Sequence, residues 1–409
     1  MDTPFDQRRH DAYDSAARGR CARIQPAARA SALHLDLVCF DMECLYAMLS
    51  GSLLMQDDAT PTDTAPEEEE EAVSADGDNA EQDRADTKYR EASAAAVAKC
   101  ADDTKGQTCF ICMEGIHPET NEGLVRGCAC RGAAGFAHVS CLARQAKVLV
   151  AEAEERDLDG DAFGARWRRW DTCSVCKQDY HGVVACALGW ACWKTYVGRP
   201  EMDMPRRLAI NVLGNGLTEA DHDEEALSVR EAELSMLRRR GASECDILGA
   251  QNNLAITYAA VGREEQALCL LREVYSGRLK LNGEEHISTI RAANNYAPFL
   301  IRLQRIEEAK SLLLRMVPVA RRVFGESHDV TFRMRWAYAG ALYMDEAATL
   351  DDLREAVTTL EETARTARRV YGGAHPLTGE IEGHLRQARA ALSEYSARAR
   401  RVGEALHST

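Results

Sequence analysis

Eight side chains able to bind a metal occur in order along one stretch of the chain: Cys109, Cys112, Cys128, Cys130, His138, Cys141, Cys173 and Cys176. They fall into four pairs, with two, one, two and two residues inside the pairs. Short gaps matter because both members of a pair must reach one ion at about 2.0–2.3 Å. Four such pairs supply donors for two tetrahedral zinc sites. Seven of the chain's 15 cysteines lie in this run, and scattered buried thiols would not pair so regularly.

The rest of the chain must position this cluster. From residue 101 to about 181 cysteine and glycine are frequent and helical periodicity is weak, apart from a helix suggested by Leu142 to Arg156. Residues 57–100 hold the acidic run Glu67 to Glu71 among Ala, Asp, Thr and Pro, and are expected to form a disordered linker. The segment from Asp57 to Asp86 carries 13 acids and one base, so most of the net charge of −15 sits in this strap and the remainder is near neutral. A basic nucleic-acid-binding domain is therefore disfavoured. The cluster of Arg166, Trp167, Arg168, Arg169 and Trp170 is better read as packed Trp with solvated Arg than as a base-stacking platform. Residues 1–56 form a weakly helical, mixed apolar segment. No stretch reaches the roughly 20 apolar residues of a membrane span, and no export signal is visible. The expected compartment is the reducing cytoplasm, with the nucleus as the alternative, so metal rather than disulfide chemistry suits the cysteines.

The ligand order, with seven residues between Cys130 and His138, resembles the RING-CH (RING-variant) zinc finger of ubiquitin ligases. So does the local text: Cys109-Phe-Ile-Cys112, Gly127-Cys-Ala-Cys-Arg-Gly132, Phe136-Ala-His-Val-Ser-Cys-Leu142 and Trp170-Asp-Thr-Cys-Ser-Val-Cys-Lys177. The resemblance implies a cross-brace: Cys109, Cys112, His138 and Cys141 on one Zn2+, and Cys128, Cys130, Cys173 and Cys176 on the other. It also implies a surface for a ubiquitin-conjugating enzyme, using Ile111 between the first two ligands and Trp170 and Val175 near the last pair. Lys177 would be the basic residue that touches both enzyme and ubiquitin. There are two departures. The stretch from Leu142 to Thr172 is 31 residues, longer than usual, and the best-known relatives are membrane-anchored. A PHD-like histone-tail reader shares the ligand order, but with a wider second pair and a shorter gap before the His.

The C-terminal half repeats. Gly-x2-His-x2-Thr occurs at Gly283/His286/Thr289, Gly325/His328/Thr331 and Gly372/His375/Thr378. Leu254, Ala255, Tyr258, Ala267 and Leu271 align with Tyr296, Ala297, Leu300, Ala309 and Leu313, and a third copy reads Tyr338, Ala339 and Leu342, then Ala356 and Leu360 after a five-residue insertion. This pattern resembles the kinesin-light-chain-like kind of tetratricopeptide repeat, which implies a superhelix with a concave groove for peptides, with Asn253, Arg291 and Asn295 as groove candidates. The repeated His residues, one per repeat, are expected to start helices rather than bind metal. Leu385 to Leu406 would cap the array.

The expected architecture is thus a small cross-brace zinc finger at 101–181, a connecting helix at 182–200 built on Trp190, Trp193 and Tyr196, and an all-α repeat superhelix at 201–409. The function this implies is a RING-type E3 ubiquitin-protein ligase, a transferase, that recruits a charged conjugating enzyme and selects protein substrates or adaptors through the repeats. The alternatives are a non-catalytic scaffold and the PHD-like reader.

Overall fold

The computed structural model describes residues 75–130, 132–373 and 375–407. The segment 1–56 and the acidic run Glu67–Glu71 lie outside the described residues. Among the described residues the fold is helical, with two isolated antiparallel bridges, Val125 to Ala137 and Thr172 to Asp179.

One expectation is corrected at once. The second half of the supposed disordered linker is a 26-residue helix, α1 (Ala75–Cys100). Ala85, Tyr89, Ala92, Ala96 and Cys100 recur at spacings of three and four, and Ala85, Ala96 and Cys100 are buried. Charged residues on its other faces pair outward: Asp86 with Lys194 at 2.6 Å, Lys88 with Glu225 at 3.1 Å, and Glu81 with Arg206 at 3.2 Å. Composition averaged over the segment hid an amphipathic stripe whose tertiary partners stabilise it.

The long insert folds into α2 (Val139–Glu155), α3 (Gly160–Trp167) and a 3-10 turn at Arg168–Trp170. It carries the chain away from Cys141 and back to Cys173. Phe163, Trp167 and Trp170 are buried, and Tyr196 lies against both indoles, at 5.4 and 5.9 Å between ring centroids. The Trp-Arg segment is therefore packed Trp.

The expected connecting helix, α4 (Gly182–Tyr196), is the centre of the molecule. Its buried residues include Val184, Leu188, Ala191, Cys192 and Trp193, on several faces, because α1, α2 and α5 (Met204–Glu219) all pack on it. A Cβ at Gly216 would stand 2.5 Å from the Ala185 carbonyl oxygen, so this glycine is what lets α4 and α5 approach so closely.

Four antiparallel helix pairs and a final helix follow among the described residues: α5 with α6 (Asp223–Arg239), α7 (Glu244–Ala260) with α8 (Glu264–Asn282), α9 (Ile287–Arg302) with α10 (Ile306–Phe324), α11 (Asp329–Tyr343) with α12 (Leu350–Tyr371), then α13 (Pro376–His407). Ala255 and Ala267, Ala297 and Ala309, and Ala339 and Ala356 are wholly buried, as the repeat alignment requires. The five-residue insertion lengthens the turn before α12, which Thr349 and Asp352 close with a capping box. The Gly-x2-His-x2-Thr motif is a junction device. Gly283, Gly325 and Gly372 end α8, α10 and α12 at φ of 79°, 91° and 86°, conformations a side chain would strain. His286 and His328 then begin the next helix, their Nδ1 accepting from the Ser288 and Val330 amides. His375 accepts from the Leu377 amide in the same way. The repeated histidines are caps, as expected. The third motif opens the terminal helix α13, not a further pair.

Candidate metal centre

The fold gathers the eight ligands into two groups. Donor atoms of Cys109, Cys112, His138 and Cys141 lie within 4.8 Å of one another, and so do those of Cys128, Cys130, Cys173 and Cys176. This is the interleaved assignment that the family resemblance implies. All eight are buried or half-buried. In the first group the His138 Nδ1 is 3.4 Å from the Cys112 Sγ and 3.7 Å from the Cys141 Sγ, so this nitrogen is turned to the sulfurs. In the second, the sulfurs of Cys130 and Cys173 are 3.7 Å apart.

The two Cys-x2-Cys segments are built alike. The Cys109 amide donates to the Glu114 carbonyl at 2.9 Å, and the Cys173 amide to the Gln178 carbonyl at 2.9 Å. The Met113 and Lys177 amides return to the Cys109 and Cys173 carbonyls, which puts both residues in the left-handed region, at φ of 67° and 60°. The amides two residues on, at Ile111 and Val175, donate to the Cys109 and Cys173 sulfurs at 3.4 Å each. Burial pushes these two thiols up, but the backbone donors outweigh it. The Cys109 thiol is held below its ordinary value and that of Cys173 falls to about 7. Burial dominates at Cys128, Cys130 and Cys141, whose thiols are raised, and it lowers His138. Several thiolates this close repel one another unless a divalent cation sits among them. A set of four cysteines, and a set of three cysteines with one neutral imidazole, are the donor chemistry of tetrahedral zinc. The residues fit the ion.

The geometry sorts the expected docking residues. Ile111 is 36% and Val175 47% exposed, at equivalent positions of the two segments. Lys177 is exposed, with its Nζ donating to the Ser174 carbonyl at 2.6 Å. Trp170 is a correction: it is wholly buried, because the 3-10 turn directs it onto Tyr196 and away from the surface. Sequence reasoning also passed over Met113 and Ile116, apolar and 72% and 55% exposed beside the first ligand pair. It passed over Arg126 too, whose guanidinium donates to the Cys130 carbonyl and lies over the Phe136 ring at 5.1 Å. A polar-poor first loop was the signal for the former; nothing local marked Arg126.

Of the groove candidates, Asn295 is buried and donates to the Asn252 side chain at 3.1 Å, and the half-buried Asn253 donates to Asn211 at 2.7 Å. These amides tie the first helices of successive pairs together, α5 to α7 and α7 to α9. No described helix is long and apolar enough to cross a membrane.

With the geometry in place, comparison with known proteins gives a consistent result. Residues 109–155 match the RING-variant domain family and residues 247–288 match a tetratricopeptide repeat family. The first match ends before Cys173 and Cys176, where the insert intervenes. A protein from Podosopora anserina, described as a kinesin light chain with nearly identical TPR-like repeats, is similar at 21% identity, over 51% of this chain and 96% of that one, with a TM-score of 0.41. BtubC (BKLC) from P. vanneervenii is similar at 14% identity, over 66% of this chain and 91% of its own, with a TM-score of 0.38. No curated protein matches. The chain thus combines a RING-variant domain with an all-helical array of tetratricopeptide-like helix pairs. The first is a zinc finger of the kind found in E3 ligases, and the second is an architecture for protein interaction.

Proposed function

We propose that this chain is a RING-type ubiquitin-protein ligase, holding one Zn2+ in each ligand group and recruiting a charged ubiquitin-conjugating enzyme to the face that carries Ile111 and Val175. The observation that carries this reading is the pair of matched Cys-x2-Cys turns in a RING-variant domain, each presenting an exposed aliphatic side chain at the same position. No zinc position is left open, so the chemistry is positional. The finger holds the thioester of the conjugating enzyme where a substrate lysine can attack, and makes no covalent intermediate of its own. Lys177, at the rim of this face, contributes charge towards enzyme and ubiquitin, without the fork that an Arg would offer. The repeats select the protein substrate or adaptor. Because α4 packs on both finger and first repeat, a bound substrate is held at a set distance from the thioester.

The test is auto-ubiquitination by the full chain with a panel of conjugating enzymes, beside the variant Ile111→Ala. The expected result is transfer by the parent and reduced transfer by the variant at unchanged zinc content. A parent inactive with every enzyme would favour the scaffold reading, and selective capture of a histone peptide would favour the PHD-like one.

A further inference from the structure

We propose that Glu122 is a positioning residue for the first ligand group, supplying from outside the helix cap that His138 cannot. The inference rests on the reading of that group as a zinc site.

Helix α2 opens at Val139, with His138 in the extended conformation of an N-cap. A cap residue normally turns its side chain back to accept from the first free amides of its helix. His138 makes no such bond, because its Nδ1 faces the sulfurs of Cys112 and Cys141. The first turn of α2 carries no acid of its own. The deficit is met by Glu122, seventeen residues before Val139. One carboxylate oxygen accepts from the Val139 amide at 2.9 Å and the other from the Ser140 amide at 3.2 Å. Both bonds are charge-assisted, and the negative charge lies at the positive end of the helix dipole.

The loop that delivers Glu122 is shaped for the purpose. The Asn121 amide donates to the His117 carbonyl, and the His117 amide to the Glu122 carbonyl, each at 2.9 Å. The Asn121 backbone turns through φ of 54°. Paired bonds between Val125 and Ala137, at 2.8 and 3.2 Å, then lay the segment after Glu122 beside the approach to His138. The His117 ring stands edge-on to His138 at 5.2 Å.

The consequence is asymmetric. His138 and Cys141 lie at the cap and in the first turn of α2, so whatever fixes that turn aims two of the four donors of the histidine-containing group. In the all-cysteine group no ligand lies in a helix. Glu122 therefore acts on one site only.

The experiment loads the full chain with Co2+, whose visible spectrum distinguishes coordination by three thiolates and an imidazole from coordination by four thiolates, and titrates each site with a chelator. Glu122→Ala removes both acceptors. Glu122→Gln keeps the size and one acceptor, and so serves if the alanine variant folds poorly. The expected result is a loss of about 10–100-fold in metal affinity at the histidine-containing site for Glu122→Ala. The loss should be smaller for Glu122→Gln, with the all-cysteine site and the far-ultraviolet signal of the repeats unchanged. Equal weakening of both sites would overturn the proposal, since Glu122 would then be a general support of the finger. So would unchanged affinity in both variants. A parent chain that binds no Co2+ through these residues would overturn the zinc reading itself.

Discussion

The finger and the repeats solve one problem in different ways. Each has too little apolar surface in any single unit to hold a core. In the finger the buried cluster includes five of the ligands themselves, Cys109, Cys128, Cys130, Cys141 and Cys173, with Leu124, Val125, Phe136 and Leu142 around them. In the repeats it consists of Ala at the helix crossings and Leu, Tyr or Phe between them, continued from one pair to the next. Clustered metal ligands stand in for core volume in one, and repetition stands in for it in the other. They are nonetheless not independent bodies. Ala96, Val184, Ala187 and Leu188, from α1 and α4, close the finger's cluster. Ala85, Trp190 and Trp193, from the same two helices, join the cluster that includes Leu208 and Leu213 of α5. Separate folding units joined by a helix would have been the simpler reading of the sequence. The structure instead shows two helices, α1 and α4, shared by two cores.

The comparison breaks most visibly on metal removal. Apparent binding energies of structural zinc run to roughly 10–16 kcal/mol in zinc-finger peptides, so chelation should unfold the finger outright. The repeats should keep their far-ultraviolet signal, because both described ligand groups lie within the finger. Hydrogen exchange checks the boundary. Protection should be lost from residues 101–181 and from the last turns of α1, and kept in the half of α4 that contains Trp190 and Trp193. Simultaneous loss of protection in α9 and α10 would show that the two modes of stabilisation are one.

A smaller effect tests the bridge. A chain beginning at residue 101 should be less stable than one beginning at residue 75. Removing α1 uncovers the surfaces that bury Ala85, Ala96 and Cys100, a loss of about 2–4 kcal/mol by apolar area. The ion pairs of Glu81, Asp86 and Lys88 are partly exposed and add at most about 1 kcal/mol each. Thermal unfolding of both chains, followed in the finger and the repeats, measures it. Destabilisation of both regions marks a bridge; destabilisation of the finger alone would make α1 part of the finger only.

What could be read from the sequence divides along the range of the interaction. The ligand pairs and the Gly-x2-His-x2-Thr junctions were legible because each is fixed within about six residues of chain. The small-residue crossings were legible because repetition shows the same contact several times. Helix α1 was not, since its stripe of Ala and Tyr gains from burial only once α4 exists to receive it. Trp170 was misplaced because nearness to Cys173 in the chain does not say which way a 3-10 turn faces. Glu122 left no mark, because its partners are seventeen residues away and are backbone amides, which carry no sequence identity.

Acid sharpens the comparison further. His384, on α13, is buried against Trp336 at 4.8 Å between centroids, and its Nδ1 is hydrogen-bonded to the Tyr343 hydroxyl at 2.5 Å. Burial holds its pKa at about 4, below the ordinary 6.5. The unfolded chain therefore takes up a proton near pH 6.5 that the folded repeats refuse until about pH 4. Stability from this group is complete above pH 6.5 and falls as the pH drops towards 4, by at most about 3 kcal/mol. His384→Gln, which keeps a hydrogen-bonding side chain beside Tyr343, should flatten the pH dependence of the repeat transition between these values and leave that of the finger unchanged. An unaltered slope would remove His384 as its source.

The smallest effect concerns the histidines that could be mistaken for ligands. His328 takes the Val330 amide on its Nδ1 at 3.2 Å and stacks on Phe324 at 4.4 Å between centroids. Thr331, three residues on, donates to the Gly325 carbonyl at 2.8 Å and keeps the junction closed. Replacing His328 with Ala removes a cap and a ring contact, about 1–2 kcal/mol together. His286 makes the same cap to the Ser288 amide, so His286→Ala should cost only about 1 kcal/mol. Denaturant midpoints of the repeat transition give both values. Zinc content should not change in either variant, whereas substitution at His138 should change it. A histidine that caps its own helix is thereby distinguished from one whose ring faces the ligand sulfurs while Glu122 takes the helix amides.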